Sequence, residues 1–103
     1  MAMRLQVMMS PGCGHGEETL ELVREVVRAL APSAEIEAVV VTTAEEAERL
    51  GFPGSPTVLV NGVDIEPDRP ARAGLGSRLY RLAGVPPRHL IESAIRSVRR
   101  ESE

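Results

Sequence analysis

Ser55-Pro56-Thr57-Val58-Leu59-Val60-Asn61-Gly62-Val63-Asp64-Ile65 is the stretch from which the fold is most directly read. Thr57 to Val60 and Val63 to Ile65 are two β-type runs. Asn61-Gly62 between them is the pair a two-residue hairpin demands, because both turn residues must accept positive φ. Pro56 opens the first run, where a missing backbone donor is tolerated. The second half of the chain therefore carries a hairpin.

Upstream, Arg4 to Met9 reads as a first strand, apolar at Leu5, Val7, Met8 and Met9 and ended by Ser10-Pro11-Gly12. Gly16 to Leu30 reads as a helix with Leu20, Val23, Val27 and Leu30 on one stripe. Glu17, Glu18 and Glu21 crowd its opening turns, where the positive helix end favours them, and Ala31-Pro32-Ser33 stops it. Glu35 to Val41 is a second strand, and the unbroken Val39-Val40-Val41 predicts burial on both faces, as in a parallel sheet. Thr43 with Glu46 three residues on is a capping box, opening a short helix through Leu50 that Gly51 ends. Downstream, Glu66 to Arg81 reads as irregular. A final helix starts near Pro86-Pro87, turns Leu90, Ile91, Ala94, Ile95 and Val98 inward, and places Arg96, Arg99 and Arg100 in its last turn. The order strand, helix, strand, helix, strand, strand, helix predicts an α/β fold, βαβαββα, with a four-stranded mixed sheet flanked by helices on both faces.

The 103 residues suit one domain spanning 1–103, with no linker or repeat. At 43% apolar and only 2% aromatic, the core must be built from Val, Leu, Ile, Met and Ala. One cysteine cannot close an internal bridge, so a disulfide-stapled mini-protein is excluded. A net charge of −3 argues against nucleic acid as a partner. All 12 basic residues are Arg, which excludes a lysine Schiff base. No apolar run approaches the ~20 residues of a membrane span and no signal peptide precedes the first strand, so the expected location is cytoplasmic, away from membranes.

The chemistry concentrates in Pro11-Gly12-Cys13-Gly14-His15-Gly16, between the first strand and the first helix. Unpaired amides at a helix start stabilise an anion, so a thiol there ionises more easily than the free group near ~8.5. The thiolate is the nucleophile, and the glycines leave it open to a partner. A protonated His15 would add a second stabilising charge. Against this stands the bland reading of Cys13 as a small buried apolar residue, which the glycine-rich junction disfavours. Ser55-Pro56-Thr57 is the second point of interest, although spacing alone does not decide the isomer of its X–Pro bond.

The element order, Cys13 at the first strand–helix turn and Ser55-Pro56-Thr57 opening the third strand together resemble the thioredoxin-like superfamily, and most closely its glutaredoxin-sized members. The resemblance covers Arg4 to Val98. It implies a cis proline at Pro56 lying against the active-site sulfur, with Ser55 presenting its backbone to an extended substrate. The departure is at Gly16, where the family's dithiol motif carries its second cysteine. Cys13-Gly14-His15-Gly16 resembles instead the one-cysteine Cys-Gly-Phe-Ser sites of monothiol glutaredoxins, and its histidine resembles that of the Cys-Pro-His-Cys sites of bacterial disulfide catalysts. A narrower likeness is to small bacterial thioredoxin-like proteins, some related by label to alkylmercury lyase, which have Cys-Arg-Leu-Tyr where this chain has Ser77-Arg78-Leu79-Tyr80. With one thiol and too few soft ligands, organomercurial cleavage does not transfer.

The resemblance implies a single-cysteine thiol–disulfide redox protein. Cys13 and His15 are the expected catalytic residues, and Gly12, Gly14, Ser55, Pro56 and Thr57 the expected substrate-binding ones. No metal or resident cofactor is expected, with glutathione the one small molecule allowed. The expected partner is a thiol or disulfide protein or a low-molecular-weight thiol, and a homodimer is compatible. Two alternatives stay open: a binding protein of the same fold without catalysis, and a dimeric metal or iron–sulfur carrier with one thiolate per chain.

Overall fold

β1 (Arg4–Met9) is the strand on which the sheet is assembled. In the computed structural model, which describes residues 3–12, 14–51, 54–66 and 85–102, it pairs in parallel with β2 (Glu35–Val40) and antiparallel with β3 (Thr57–Val60). β3 pairs antiparallel with β4 (Val63–Asp64), giving the order β2-β1-β3-β4. Three helices complete the described chain: α1 (Gly16–Leu30), α2 (Ala44–Leu50) and α3 (Arg88–Ser102). The architecture is the α/β βαβαββα arrangement expected. Cys13, and residues 67–81 of the stretch read from sequence as irregular, with Ser77 to Tyr80, lie outside the described residues.

Alternation along the strands sorts the side chains into two layers. On one face Leu5 and Val7 of β1 and Val58 and Val60 of β3 meet Val23 and Val26 of α1 and Ile91 and Ile95 of α3, all of them buried. Val26 widens the stripe beyond the four positions read from the sequence, and Thr19 is buried as well. Thr19 meets the cost of a buried hydroxyl by donating it to the His15 carbonyl one turn back, 2.7 Å away. On the opposite face Met8, Val41 and Ala47 form a smaller cluster with Val39 and Leu59 beneath α2. α1 and α3 are joined at their rims: Arg88 reaches Glu25 at 3.5 Å, and the Arg99 guanidinium donates to the Leu30 carbonyl at the end of α1. Among the described residues no helix is long and apolar enough to cross a membrane.

The expectation that Val39-Val40-Val41 is buried on both faces is corrected. β2 is an edge strand that ends at Val40, and Val40 is 51% exposed while Val41, just past the strand, is fully covered by α2. The apolar run reflects a strand end that turns into a helix, not a strand enclosed by neighbours. The capping box is also one-sided: Thr43 Oγ1 accepts from the Glu46 amide at 3.1 Å, but the Glu46 carboxylate accepts from the Thr42 hydroxyl at 2.8 Å. At the other edge β4 stops at Asp64, although the Ile65 amide still donates to the Val58 carbonyl at 3.2 Å.

The hairpin turn has the backbone its sequence demands, with φ of 50° at Asn61 and 83° at Gly62. Asn61 does more than turn. Its amide donates to the Arg4 carbonyl at 2.7 Å, and its Oδ1 accepts from the Arg4 amide at 2.8 Å, so the turn is sewn to the start of β1. Asn61→Gly keeps the backbone conformation and loses only the side-chain acceptor, so it is expected to cost about 0.5–1 kcal/mol. Asn61→Ala loses both and is expected to cost about 1 kcal/mol more, read as a larger drop in urea midpoint.

The face shared with α2 turns polar towards the start of β1. Glu37 accepts from Gln6 Nε2 at 2.8 Å and from Arg4 at 2.9 Å. The hydrogen bond from Gln6 first, then the bond and charge of Arg4, hold its carboxyl below the ordinary value of 4.5. A carboxylate favoured in this way stabilises the fold above its unfolded-state pKa, and the contribution is lost as pH falls through the lower folded-state value. Glu37→Gln is therefore expected to be less stable than the parent at neutral pH, with the gap closing below about pH 4.5 in denaturation series across pH.

Candidate functional site

Ser10 to His15 joins the end of β1 to the start of α1. Gly12 adopts φ of 73°, a left-handed conformation that a residue with a Cβ rarely accepts, and this turns the chain sharply after Pro11. Pro11, Gly12, Gly14 and His15 are all exposed. A Cβ on Gly12 or Gly14 would meet nothing within 4 Å, so open space surrounds the turn on both sides of position 13. Cys13 itself is outside the described residues.

His15 is the N-cap of α1 and makes no side-chain cap hydrogen bond. The first helical bond into α1 runs from the Thr19 amide to the His15 carbonyl at 3.0 Å. The amides of the opening turn have no carbonyl one turn behind them, and no cap side chain of His15 occupies them. This is the setting in which a helix start receives an anion. Glu17 and Glu18 lie in the same turn and are exposed.

The second half of the site comes from the entry to β3. The Ser55–Pro56 peptide is cis, and Ser55 and Pro56 are buried. The Ser10 amide donates to Ser55 Oγ at 3.0 Å, a bond that spans 45 residues of sequence. Thr57 is fully buried, and its hydroxyl donates to the Gly54 carbonyl at 2.6 Å, so this side chain braces the bend from inside. The expected site residues Gly12, Gly14 and His15 thus lie on an exposed turn, and Ser55, Pro56 and Thr57 lie in the layer behind it. The hydrogen bond from Ser10 to Ser55 joins the two segments.

Residues 3–64, more than half of the chain, match the family model for the thioredoxin domain. This chain belongs to the thioredoxin-domain family. No curated protein sequence matches it at a significant level. The matched part of this thioredoxin domain holds β1 through β4 with α1 and α2, so the whole sheet and both site segments fall inside it. The fold is of redox type.

Two residues of the site were not singled out from sequence. Ser10 reads only as a strand terminator, and nothing in its neighbourhood signals that its amide is used 45 positions away. Met9 reads as strand core, yet its side chain lies against Gly16 at the start of α1. Gly16 has no positive φ to account for it, and nothing in the sequence pattern signals the contact.

The Ser10–Ser55 bond carries a direct expectation. Ser55→Ala leaves a part-buried amide without its acceptor and is expected to cost about 1–2 kcal/mol, read as a lowered urea midpoint with an unchanged m-value.

Proposed function

We propose that this thioredoxin domain is a single-cysteine thiol–disulfide exchange protein acting through Cys13. The observation that supports it best is the Ser10–Ser55 hydrogen bond, which joins the end of β1, where the exposed turn leading to the uncapped start of α1 begins, to the Pro56 segment at the head of β3. A nucleophile on an open turn beside amides that lack partners, backed by a rigid strand, is what a thiolate requires.

The reaction proceeds in two exchanges. The Cys13 thiolate attacks one sulfur of a disulfide R–S–S–R′, forming a Cys13–S–S–R bond while R′S⁻ leaves with the electron pair of the broken bond. A second thiolate from solution then attacks the R sulfur, releases Cys13 as the thiolate and carries R away as a new disulfide. Sulfur carries the electrons throughout, so no resident cofactor enters. The amides at the α1 start stabilise Cys13 as nucleophile and again as leaving group. His15, at the N-cap, adds a positive charge when protonated. Gly12 and Gly14 keep the approach open, Ser55 and Pro56 form the wall against which the partner lies, and Thr57 braces that wall. The partner is a disulfide protein or a low-molecular-weight disulfide, with glutathione among the latter.

Position 16 decides between one-thiol and two-thiol chemistry in this reading. With glycine there, the chain holds no internal thiol to resolve the mixed disulfide, so the second exchange needs a thiol from outside.

Iodoacetamide alkylation of the native chain across pH tests the proposal. The expected profile shows Cys13 reacting with a pKa below the free-thiol value near ~8.5, with the reaction abolished by Cys13→Ser. A pKa at or above that value removes the basis of the proposal. If Cys13→Ser also binds partners as the parent does, the domain is a binding module of the same fold.

A further inference from the structure

α1 is seated on the end of β1 through a contact in which the Met9 side chain fills the space a side chain at position 16 would take. A Cβ on Gly16 would stand 2.7 Å from Met9 Sδ, 3.2 Å from Met9 Cβ and 3.5 Å from Met9 Cε. Gly16 is buried and does not have positive φ, so its backbone makes no demand for glycine. The demand comes from Met9. Its Cβ is fixed by the strand, its side chain packs against the main core, and its carbonyl accepts from the Val41 amide at 2.8 Å. A side chain at position 16 therefore requires the Met9 thioether to leave its packing against the core and the strand end to yield by a few tenths of an ångström.

We infer that Met9 is a specificity-determining residue: its thioether occupies the space that a side chain at position 16 would need, and so confines this domain to one-thiol chemistry. The inference deepens the proposed function and rests on that reading for its chemical consequence. Position 16 is three residues after Cys13, close enough along the chain for a second thiol to resolve a mixed disulfide. The packed Met9 thioether stands in that route, so a cysteine placed there by substitution must displace it before it can resolve a mixed disulfide. Trimming Met9 to alanine removes Sδ and Cε and leaves the 3.2 Å contact with Cβ, which a retreat of a few tenths of an ångström relieves.

The test uses the full chain as Gly16→Cys and as the double variant Met9→Ala/Gly16→Cys, treated at low concentration with diamide. Closing an intrachain disulfide removes two protons and two electrons from the two thiols, and the azo bond of diamide takes them up as the hydrazine. The double variant is expected to lose both free thiols and about 2 Da, at least about tenfold faster than Gly16→Cys alone. Equal rates for the two, or a folded double variant that keeps both thiols, overturn the inference.

Should Gly16→Cys be too unstable to purify, the same contact is read from alanine. Gly16→Ala is expected to lower Tm in the parent and to lower it by less than half as much in a Met9→Ala background, whereas equal losses overturn the inference. The Tm readout does not involve Cys13, and the diamide readout compares two variants that share it. An alkylation profile without an activated thiol would therefore remove the redox reading while leaving the Met9 contact standing.

Discussion

The last residues of β1 hold the site together. The Met9 carbonyl accepts from Val41, which ties down the exit of β2. The Met9 side chain receives Gly16, which sets the approach of α1, and the Ser10 amide donates to Ser55, which sets the entry to β3. A strand end, a helix start and a proline-containing bend are thus referred to two consecutive residues. Packed interiors transmit small displacements, so a shift at Met9 is felt at each of these segments. Loops carry chemistry best when a rigid scaffold positions them, and here the scaffold is the central strand of the sheet.

The described residues of the exposed turn contribute little packing of their own: Gly12 and Gly14 border open space, and Pro11 and His15 are exposed. The backbone is anchored on either side, by the turn of Gly12 after β1 and by the first helical bond from Thr19 to His15. Thr19 reinforces the second end, since its amide and its hydroxyl both donate to the same carbonyl.

Element order was legible because local chemistry determined it. Asn61-Gly62 has no comfortable alternative to a hairpin turn, and Thr43 with Gly51 brackets α2 at both ends. The halves of the site were legible for the same reason: one is a glycine-rich strand–helix junction, and the other is a serine-proline strand entry. What escaped was non-local. Val39-Val40-Val41 has the same composition whether β2 lies inside the sheet or at its edge, and only the placement of β3 on the far side of β1 decides it. Glu46 could not reveal that its carboxylate serves Thr42 in place of the Thr43 amide, because both partners lie within reach. The Met9–Gly16 contact depends on how closely a helix docks against a strand end, a distance that no pattern of residue types encodes.

The electrostatics at the helix start are more evenly balanced than the glycine-rich turn suggests. The field of a helix end favours a nearby anion by about 0.3–1 kcal/mol when exposed to solvent. Glu17 and Glu18, in the same turn, oppose it. A net preference for the thiolate must therefore come from direct donation by amides that have no other partner, since a short hydrogen bond to a charged acceptor exceeds either long-range effect. Donation of that kind needs the amides to be unoccupied. The absence of a side-chain cap from His15 at the N-cap satisfies this requirement, where serine, threonine or aspartate would have used one of those donors. In the exchange proposed for Cys13, the uncapped start of α1, more than the field of the helix, is the feature that favours a negative sulfur.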